Sequence, residues 1–319
     1  MFTLTLPDFV AARERIAPHI KHTPLLGSRQ LSDLTGYDVR LKAELFQRVG
    51  SYKIRGPLNK FALMPEEQKR RGVVCSSAGN HAQGVALAAQ LHGIRAVVCM
   101  ATNATPSKIA ATRGYGAEVV LHGTIWDEAN EKAKELVERE GLTYVHPFDD
   151  EQLIAGQGTL GLEIVQDWAD VDAIVVPIGG GGLISGVSMV AKSHNPAIKV
   201  IGVESSDGPA MQASIAAGAL QTIDCRTVID GLRVRRVGNL NFSVVQRFVD
   251  DIVTLPDARI FEAMLWVMER CKLVVEGAAA APVGALLDGL IKLPAGSRVA
   301  VVLSGGNLNL DQLRSLRWN

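Results

Sequence analysis

The chain has 319 residues, of which 47% are hydrophobic, so it is long and apolar enough to bury a large core and to divide into two domains. Lysine plus arginine and aspartate plus glutamate both number 33, which gives a formal net charge of zero. This balance gives no indication of the basic surface that nucleic-acid-binding proteins present, and we expect no nucleic-acid partner.

The N-terminal segment does not resemble a secretory signal, because charged residues interrupt its apolar ones and no basic head precedes them. The longest uncharged run, residues 173 to 191, contains four consecutive glycines, which favours a strand, a loop and a helix over a membrane span. The cysteines are scattered without the spacing of metal ligands. We therefore expect a cytoplasmic protein with free thiols and no membrane partner.

Short runs rich in valine and isoleucine recur along the chain, and each is followed by glycine or serine and then by a helical pattern. In chain order the predicted strands span residues 72–77, 95–100, 118–121, 173–178, 199–204 and 298–303. The predicted helices, which have apolar residues near i, i+3 and i+4, span 82–92, 106–115, 126–140, 184–192 and 260–272. Strands that alternate with helices predict an α/β fold with parallel sheets covered on both faces.

The first motif that carries chemistry is Gly50-Ser51-Tyr52-Lys53-Ile54-Arg55-Gly56, with Lys53 near the start of a predicted helix. A lysine at that end of a helix meets an unfavourable dipole, which lowers its pKa toward that of a nucleophilic amine, especially in a desolvated pocket. A solvated surface lysine is the simpler alternative, and the motif alone does not exclude it.

The second motif, Ser76-Ser77-Ala78-Gly79-Asn80-His81, lies where a predicted strand meets a predicted helix. Hydroxyls, an amide and backbone N–H groups meet there at the positive end of the helix, which suits a carboxylate. Taken alone, the same residues are better explained by ordinary capping of the helix by serine or asparagine.

In the third motif, a predicted strand opens through Gly179-Gly180-Gly181-Gly182 into a helix that begins near Leu183. Backbone without side chains can approach a ligand closely and point its N–H groups at a phosphate. The spacing excludes both G-x-G-x-x-G and a P-loop, so a single compact phosphate is favoured. The alternative is a glycine-rich turn that only allows close packing.

The fourth motif, Ser304-Gly305-Gly306-Asn307, follows the last predicted strand. In parallel α/β sheets, ligands bind at the carboxyl ends of the strands. All motifs except the lysine motif lie at such ends, so we expect the four to form one site.

In this order, the four motifs resemble those of the fold-type II pyridoxal-phosphate enzymes, in particular the threonine and serine dehydratases and their relative serine racemase. The resemblance covers nearly the whole chain. It implies a two-lobed α/β fold, similar to the tryptophan synthase β subunit, with pyridoxal 5'-phosphate in the cleft between the lobes. It also implies a large domain over 1–45 and 141–319, a small domain over 46–140, and a homo-oligomer, either a dimer or a tetramer.

The resemblance also implies a role for each motif residue. Lys53 would be the catalytic residue and hold the cofactor as a Schiff base, with Tyr52 near one face of the cofactor ring and Gly231 near the other. Asn80 would contact the ring hydroxyl, and Ser304 the pyridine nitrogen. The phosphate would be bound by Gly179, Gly180, Gly181, Gly182 and Leu183, and the substrate carboxylate by Ser77, Ala78, Asn80 and His81.

The implied activity is dehydration and deamination of a β-hydroxy amino acid. L-threonine would give 2-oxobutanoate and ammonia, and L-serine would give pyruvate and ammonia. Ala78 stands where serine racemase has a second proton-handling serine, which disfavours racemisation. The chain ends soon after Asn307, so no regulatory domain is expected and a catabolic role is favoured. Three alternatives stay open: a dehydratase for another β-hydroxy substrate, threo-3-hydroxyaspartate or phenylserine; a serine racemase; and a non-catalytic amino-acid sensor.

The pocket that would hold the side chain of the substrate is less well defined by the sequence. Trp126 either borders that pocket or packs between the lobes. Asn130 stands about where a racemase-like arginine would bind a second substrate carboxylate, which disfavours hydroxyaspartate. Arg233 and Arg235 are the alternative sources of positive charge.

The resemblance gives weaker indications for residues outside the motifs. Glu204 matches one acidic ligand of the cation-binding racemases, but the later acidic position falls near Ala210, so no metal is expected. Glu276 is expected behind the cofactor, and Asp149 and Asp150 are interpreted as a solvated loop.

Overall fold

The computed structural model describes residues 2 to 315, and in this part of the chain ten strands form two sheets. In chain order the strands are β1 Leu25–Gly27, β2 Asp38–Ala43, β3 Val73–Ser76, β4 Ala96–Met100, β5 Glu118–Leu121, β6 Thr143–Tyr144, β7 Ala173–Pro177, β8 Lys199–Ser205, β9 Asp251–Leu255 and β10 Arg298–Leu303.

Helices connect most of these strands and cover both sheets. In chain order they are α1 Leu6–Ile16, α2 Arg29–Thr35, α3 Arg55–Ala62, α4 Glu66–Arg71, α5 Asn80–His92, α6 Pro106–Gly114, α7 Trp126–Glu140, α8 Glu151–Asp167, α9 Gly182–His194, α10 Ala210–Ala217, α11 Asn239–Phe248, α12 Asp257–Trp266, α13 Gly277–Leu287 and α14 Leu310–Ser315. Short 3-10 turns lead into α3, and the last of them is Tyr52–Ile54. Within the described residues, no helix combines the length and apolarity that a membrane crossing requires.

The larger sheet has the strand order β1-β2-β10-β7-β8-β9, and all its pairs are parallel except β1 with β2. Every residue of β7 is buried. Successive side chains of a strand point to opposite faces, and accordingly Ile174 and Val176 pack in one core while Ala173 and Val175 pack in another. Burial on both faces explains why this strand reads as a continuous apolar run.

The smaller sheet has the strand order β5-β4-β3-β6, and all its pairs are parallel. Its last strand, β6, begins at Thr143, beyond the predicted end of the small domain at residue 140. The division into a large domain over 1–45 and 141–319 and a small domain over 46–140 stays a prediction. Residue 1 and residues 316–319 of that division lie outside the described chain.

The six predicted strands are present, with ends that agree to within one residue. Four strands were not predicted: β1, β2, β6 and β9. The predicted parallel sheets are present, and among the described strands only β1, an edge strand of three residues that is too short to show a pattern, pairs antiparallel with its neighbour. The helix predicted over 260–272 begins earlier, at Asp257, and changes to a π-helical turn over Val267–Cys271.

Candidate active site

A narrow cleft brings residues from distant parts of the chain together. It lies at the carboxyl end of β7, where ligands bind in parallel sheets. All its lining residues except Phe148 and Pro177 belong to the predicted cofactor-binding set. The lining consists of Tyr52, Lys53, Phe148, Pro177, Gly179, Gly180, Gly181, Gly182, Leu183 and Gly231.

Lys53 faces this cleft from the 3-10 turn that precedes α3. Its Nζ donates a hydrogen bond of 2.9 Å to the carbonyl of Pro147. The surrounding protein desolvates the ammonium group and lowers the pKa of Lys53 to about 8, although the Glu276 carboxylate acts in the opposite direction. Desolvation is therefore the main cause, as expected for a lysine in a desolvated pocket. A lysine with such a pKa is partly neutral near pH 7 and can act as a nucleophile or a base.

The fourth sequence motif holds the chain just before Lys53. Val49 and Gly50 have positive φ angles of 60° and 67°, and the first is uncommon for a β-branched residue. The Asn307 Nδ2 donates 2.7 Å to the Val49 carbonyl, and the Gly306 N–H donates 2.9 Å to the Gly50 carbonyl. These bonds stabilise a backbone conformation that would otherwise be unfavourable.

Ser304 belongs to the same contact between the two motifs. Its carbonyl accepts a 3.1 Å hydrogen bond from the Tyr52 N–H, and its side chain is almost fully buried. The structure therefore brings Ser304 next to the lysine segment, as the convergence of the motifs predicted.

The glycine loop is packed so closely that side chains would not fit. A Cβ on Gly179 would lie 2.3 Å from the Gly231 carbonyl oxygen, and one on Gly180 would lie 2.1 Å from the Phe148 ring. Gly181 has a φ of 97°, which favours glycine. The loop leads directly into α9, which begins at Gly182, so its free N–H groups lie at the positive end of a helix. These residues fit a phosphate group.

Asn80 connects the second and fourth motifs. Its Nδ2 donates 2.7 Å to Glu276 Oε1, and its Oδ1 accepts 2.8 Å from Asn307 Nδ2. Burial raises the pKa of Glu276 to about 7, and the hydrogen bond from Asn80 partly offsets that rise. Glu276 therefore contacts the amide nitrogen of Asn80, while Asn307 contacts the amide oxygen.

The predicted carboxylate loop leads into the first turn of α5. The Gly79 N–H donates to the Ser77 hydroxyl oxygen at 3.2 Å, and the first N–H groups of α5, from Asn80 onward, have no carbonyl within the helix to bind. The ring of His81 is buried, and its Nε2 lies 3.0 Å from the Val145 carbonyl oxygen. A carbonyl only accepts, so Nε2 carries a hydrogen.

Burial and, to a smaller extent, the nearby charge of Lys53 lower the pKa of His81 to about 3, so the ring is neutral. The His81 side chain therefore supplies no positive charge for a carboxylate, and only its backbone N–H can serve the predicted role. Ala78 is partly exposed beside Ser77 and offers only a methyl group.

The residues considered for the side-chain pocket have other partners. Trp126 is half exposed, and its Nε1 donates 3.0 Å to the carbonyl of Ser76, the last residue of β3. The Asn130 Oδ1 accepts 2.6 Å from the Tyr144 hydroxyl. The neutral amide of Asn130 is thus held against β6.

Ion pairs link the segment around Gly231 to helices α6 and α7. Asp230 lies 2.5 Å from Lys108 and 3.6 Å from Arg233, while Arg235 lies 3.9 Å from Asp127. Asp230 and Lys108 are both close enough to affect the pKa of Glu276, in opposite directions. Arg233 and Arg235 are therefore engaged with carboxylates at the surface.

The interpretation of Asp149 and Asp150 as a solvated loop was wrong. Asp149 accepts the backbone N–H groups of Asn239 and Leu240 at 3.0 and 2.9 Å, at the start of α11. Asp150 caps α8, because its side chain accepts the Leu153 N–H at 3.0 Å. The contacts that fix this segment are not visible in the sequence, because its partner on α11 is distant in the chain and β6, which leads into it, has only two residues.

Glu204 caps the N-terminus of α10. Its two carboxylate oxygens accept the N–H groups of Met211 and Gln212, each at 2.8 Å. Burial raises the pKa of Glu204 to about 7 despite these bonds. Among the described residues, no group of three or more histidine, cysteine, aspartate or glutamate side chains is placed to hold a metal ion.

The fold and the cleft together define an α/β enzyme with a partly neutral lysine beside a site for a phosphate group. Residues 16–305 match the family described as pyridoxal-phosphate dependent enzyme. The chain belongs to this family, and its cofactor is pyridoxal phosphate. The predicted family, fold and cofactor are confirmed.

Relatives and solved structures are similar to this chain over nearly its whole length. The L-threonine ammonia-lyase of Thermotoga maritima is 47% identical over 97% of this chain and 77% of its own length. The catabolic L-threonine dehydratase of Escherichia coli K12 is 43% identical over 98% and 96%. Maize serine racemase superposes with a TM-score of 0.94 at 35% identity, over 98% of this chain and 96% of its own. The processed threonine deaminase isoform 2 of Solanum lycopersicum gives a TM-score of 0.92 at 36% identity, over 97% and 90%.

Proposed function

We propose that the protein is an ammonia-lyase that converts L-threonine to 2-oxobutanoate and ammonia, and L-serine to pyruvate and ammonia. The observation that carries this proposal is Lys53, whose pKa is lowered to about 8 at the cleft that contains the glycine loop. The relatives named as threonine ammonia-lyase and threonine dehydratase support the same reaction.

In this proposal, Lys53 is the residue that acts on the substrate. Its Nζ would hold the cofactor and, once released from it, would take the proton from the substrate Cα. The bound cofactor supplies an electron-withdrawing ring that makes this proton acidic. The Cα hydrogen and the Cβ hydroxyl group leave together as water. Hydrolysis of the dehydrated product takes up one water and releases ammonia, so ammonia is the only net loss. The Tyr52 ring, with its centre 5.3 Å from Nζ, covers one side of the site, and Gly231 leaves room on the other.

The other predicted roles belong to the proposal as well. Asn80 would contact the ring hydroxyl of the cofactor, and Ser304 would contact the pyridine nitrogen. A neutral serine at that nitrogen would leave it unprotonated, which would favour elimination over transamination. The phosphate is bound by the loop Gly179, Gly180, Gly181, Gly182 and Leu183.

At the substrate end, the carboxylate binds at the positive end of α5, to Ser77, Ala78, Asn80 and the backbone N–H of His81. The methyl group of Ala78 donates no proton to Cα, which disfavours racemisation. Asn130 is neutral and bonded to Tyr144, so that position offers no cation to a second carboxylate. This supports threonine and serine over threo-3-hydroxyaspartate.

The proposal extends to the setting of the enzyme. It includes a catabolic role, the predicted division into a large and a small domain, a homo-oligomer and a cytoplasmic location. The free buried thiols of Cys75 and Cys99 support a reducing compartment.

Incubation of the purified holoenzyme with a panel of β-hydroxy amino acids tests the proposal. The panel contains L-threonine, L-serine, threo-3-hydroxyaspartate and phenylserine, and the measured products are the 2-oxo acid and ammonia. We expect release from threonine and serine, and a loss of at least about a hundredfold in kcat for Lys53→Ala. Lys134→Ala, at an exposed position on α7, is the matched control.

Two results would contradict the proposal. An absorbance change on adding L-threonine without any 2-oxo acid would indicate an amino-acid sensor. Conversion of L-serine to D-serine faster than to pyruvate would indicate a racemase.

A further inference from the structure

The side chain of Asn241, on α11, joins the glycine loop to the segment that faces it. Asn241 is fully buried. Its Nδ2 donates to the carbonyls of Gly180 and Phe148, at 3.0 and 3.1 Å, and its Oδ1 accepts from the Ser185 hydroxyl at 3.1 Å. Because carbonyls only accept, the amide can satisfy all three partners in this orientation alone.

This contact fixes the orientation of a peptide in the loop. The Gly180 carbonyl points to α11, where the Gly238 N–H also donates to it at 3.3 Å. In a planar trans peptide, the next N–H points the opposite way, and the described chain has no cis peptides. The N–H of Gly181, a residue that lines the cleft, therefore points away from Asn241.

In the segment that faces the loop, the peptide between Phe148 and Asp149 is fixed through both its carbonyl and its N–H. Asn241 binds the Phe148 carbonyl, and the N–H of the same peptide, from Asp149, donates 2.8 Å to His146 Nδ1. The Asp149 carboxylate in turn binds the first N–H groups of α11, from Asn239 and Leu240. The first turn of α11 is thus attached to both walls of the cleft.

We propose that Asn241 is a positioning residue for the cofactor phosphate. It holds the Gly180 carbonyl out of the cleft, so that the Gly181 N–H faces the phosphate. This inference rests on the proposed cofactor site and adds to it a residue that touches neither cofactor nor substrate. Without the amide donors, the Gly180–Gly181 peptide can turn, and a carbonyl directed at the phosphate repels it.

Asn241→Asp tests the proposal, because it replaces the donor group by oxygen at almost unchanged size. Spectroscopic titration of the apoprotein gives Kd for pyridoxal 5'-phosphate and for pyridoxal, which lacks the phosphate. We expect the Kd for pyridoxal 5'-phosphate to rise about ten- to a hundredfold and that for pyridoxal to change less than about twofold. Gln246→Glu, the same change from amide to carboxylate at an exposed position on the same helix, should leave both unchanged.

An equal loss of affinity for both ligands would show a general structural role and overturn the proposal, as would an unchanged Kd for the phosphate form. If circular dichroism shows that Asn241→Asp does not fold, Ser185→Ala replaces it, because this variant removes the hydroxyl that orients the amide. We then expect a loss of about threefold or more for the phosphate form alone. These titrations measure binding and do not depend on turnover. The proposed ammonia-lyase activity is tested separately, by the release of 2-oxo acid, so the two proposals can fail independently.

Discussion

Lys53 and His81 hold protons less tightly than the same side chains in water, and burial is the main cause for both. At Lys53 the Glu276 carboxylate opposes this effect, and the pKa falls only to about 8. At His81 the charge of Lys53 adds to it, and the pKa falls to about 3. The cleft therefore has a lysine that changes protonation near neutral pH beside a histidine that stays neutral.

We expect His81→Gln to reduce the loss of stability that acid causes in the apoprotein. The folded-state pKa of about 3 lies below the ordinary value of 6.5, so this contribution to stability is complete above pH 6.5 and is lost as the pH falls toward 3. Between pH 7 and pH 4 the loss amounts to about 3 kcal/mol. Glutamine does not titrate and retains an N–H donor for the Val145 carbonyl.

Urea unfolding of the apoprotein at a series of pH values measures this difference. His194→Gln, at the exposed end of α9, is the matched control for the change of side chain. The same acid dependence in the wild type and in His81→Gln would exclude His81 as a cause of acid unfolding.

At the scale of elements, α8 depends on a cap that the sequence analysis did not identify. The Asp150 side chain accepts the Leu153 N–H at 3.0 Å and also lies 2.6 Å from Lys60. We expect Asp150→Ala to lower the free energy of unfolding by about 1 to 2 kcal/mol, because a first-turn N–H of α8 loses its acceptor. Asp150→Asn keeps an oxygen for the cap and loses only the charge, so we expect less than half of that effect.

Chemical denaturation at pH 7 measures these differences. The exposed Asp33 on α2 provides the control, and Asp33→Ala should change stability by less than about 0.5 kcal/mol. Equal losses for Asp150→Ala and Asp150→Asn would assign the effect to the ion pair with Lys60 and not to the cap.

Local patterns in the sequence predicted some secondary-structure elements but not others. Strands such as β7 and β10 are buried on both faces, so their valine and isoleucine runs are visible in the sequence. The glycines of the loop are consecutive, so their close approach to a ligand is visible too. By contrast, β6 has two residues and β1 has three, which is too few to show a period.

The parts of the site that the sequence did not predict depend on contacts between distant residues. Asn241 meets Gly180 and Phe148 across 61 and 93 positions of the chain. No spacing rule links such residues, and a buried asparagine has the same local appearance as an exposed one. The pKa of Lys53 was expected to fall, but its cause, desolvation opposed by Glu276, depends on the folded surroundings.

At the scale of the whole molecule, four buried charged side chains join the segment that carries Lys53 to the larger sheet. Arg55 binds Glu44 through two bonds of 2.8 Å and Glu163 through one of 2.7 Å. Glu163 also lies 2.7 Å from Lys42 on β2. The four charges sum to zero. Desolvation offsets much of the attraction in buried pairs, so the network fixes geometry more than it adds net stability.

This balance of charges predicts that removal of one buried charge lowers the free energy of unfolding more than removal of two opposite charges. We expect Glu163→Gln to lower the free energy of unfolding by about 3 to 5 kcal/mol, because the buried Lys42 then keeps only the partly exposed Asp167, at 3.4 Å, while Arg55 keeps Glu44. The double variant with Lys42→Met restores neutrality and should lose less than Glu163→Gln alone. Urea denaturation at pH 7 gives the coupling energy, with the exposed Glu14→Gln as control. Additive losses would mean that each side chain stabilises the fold through its own contacts and that the charge balance is irrelevant.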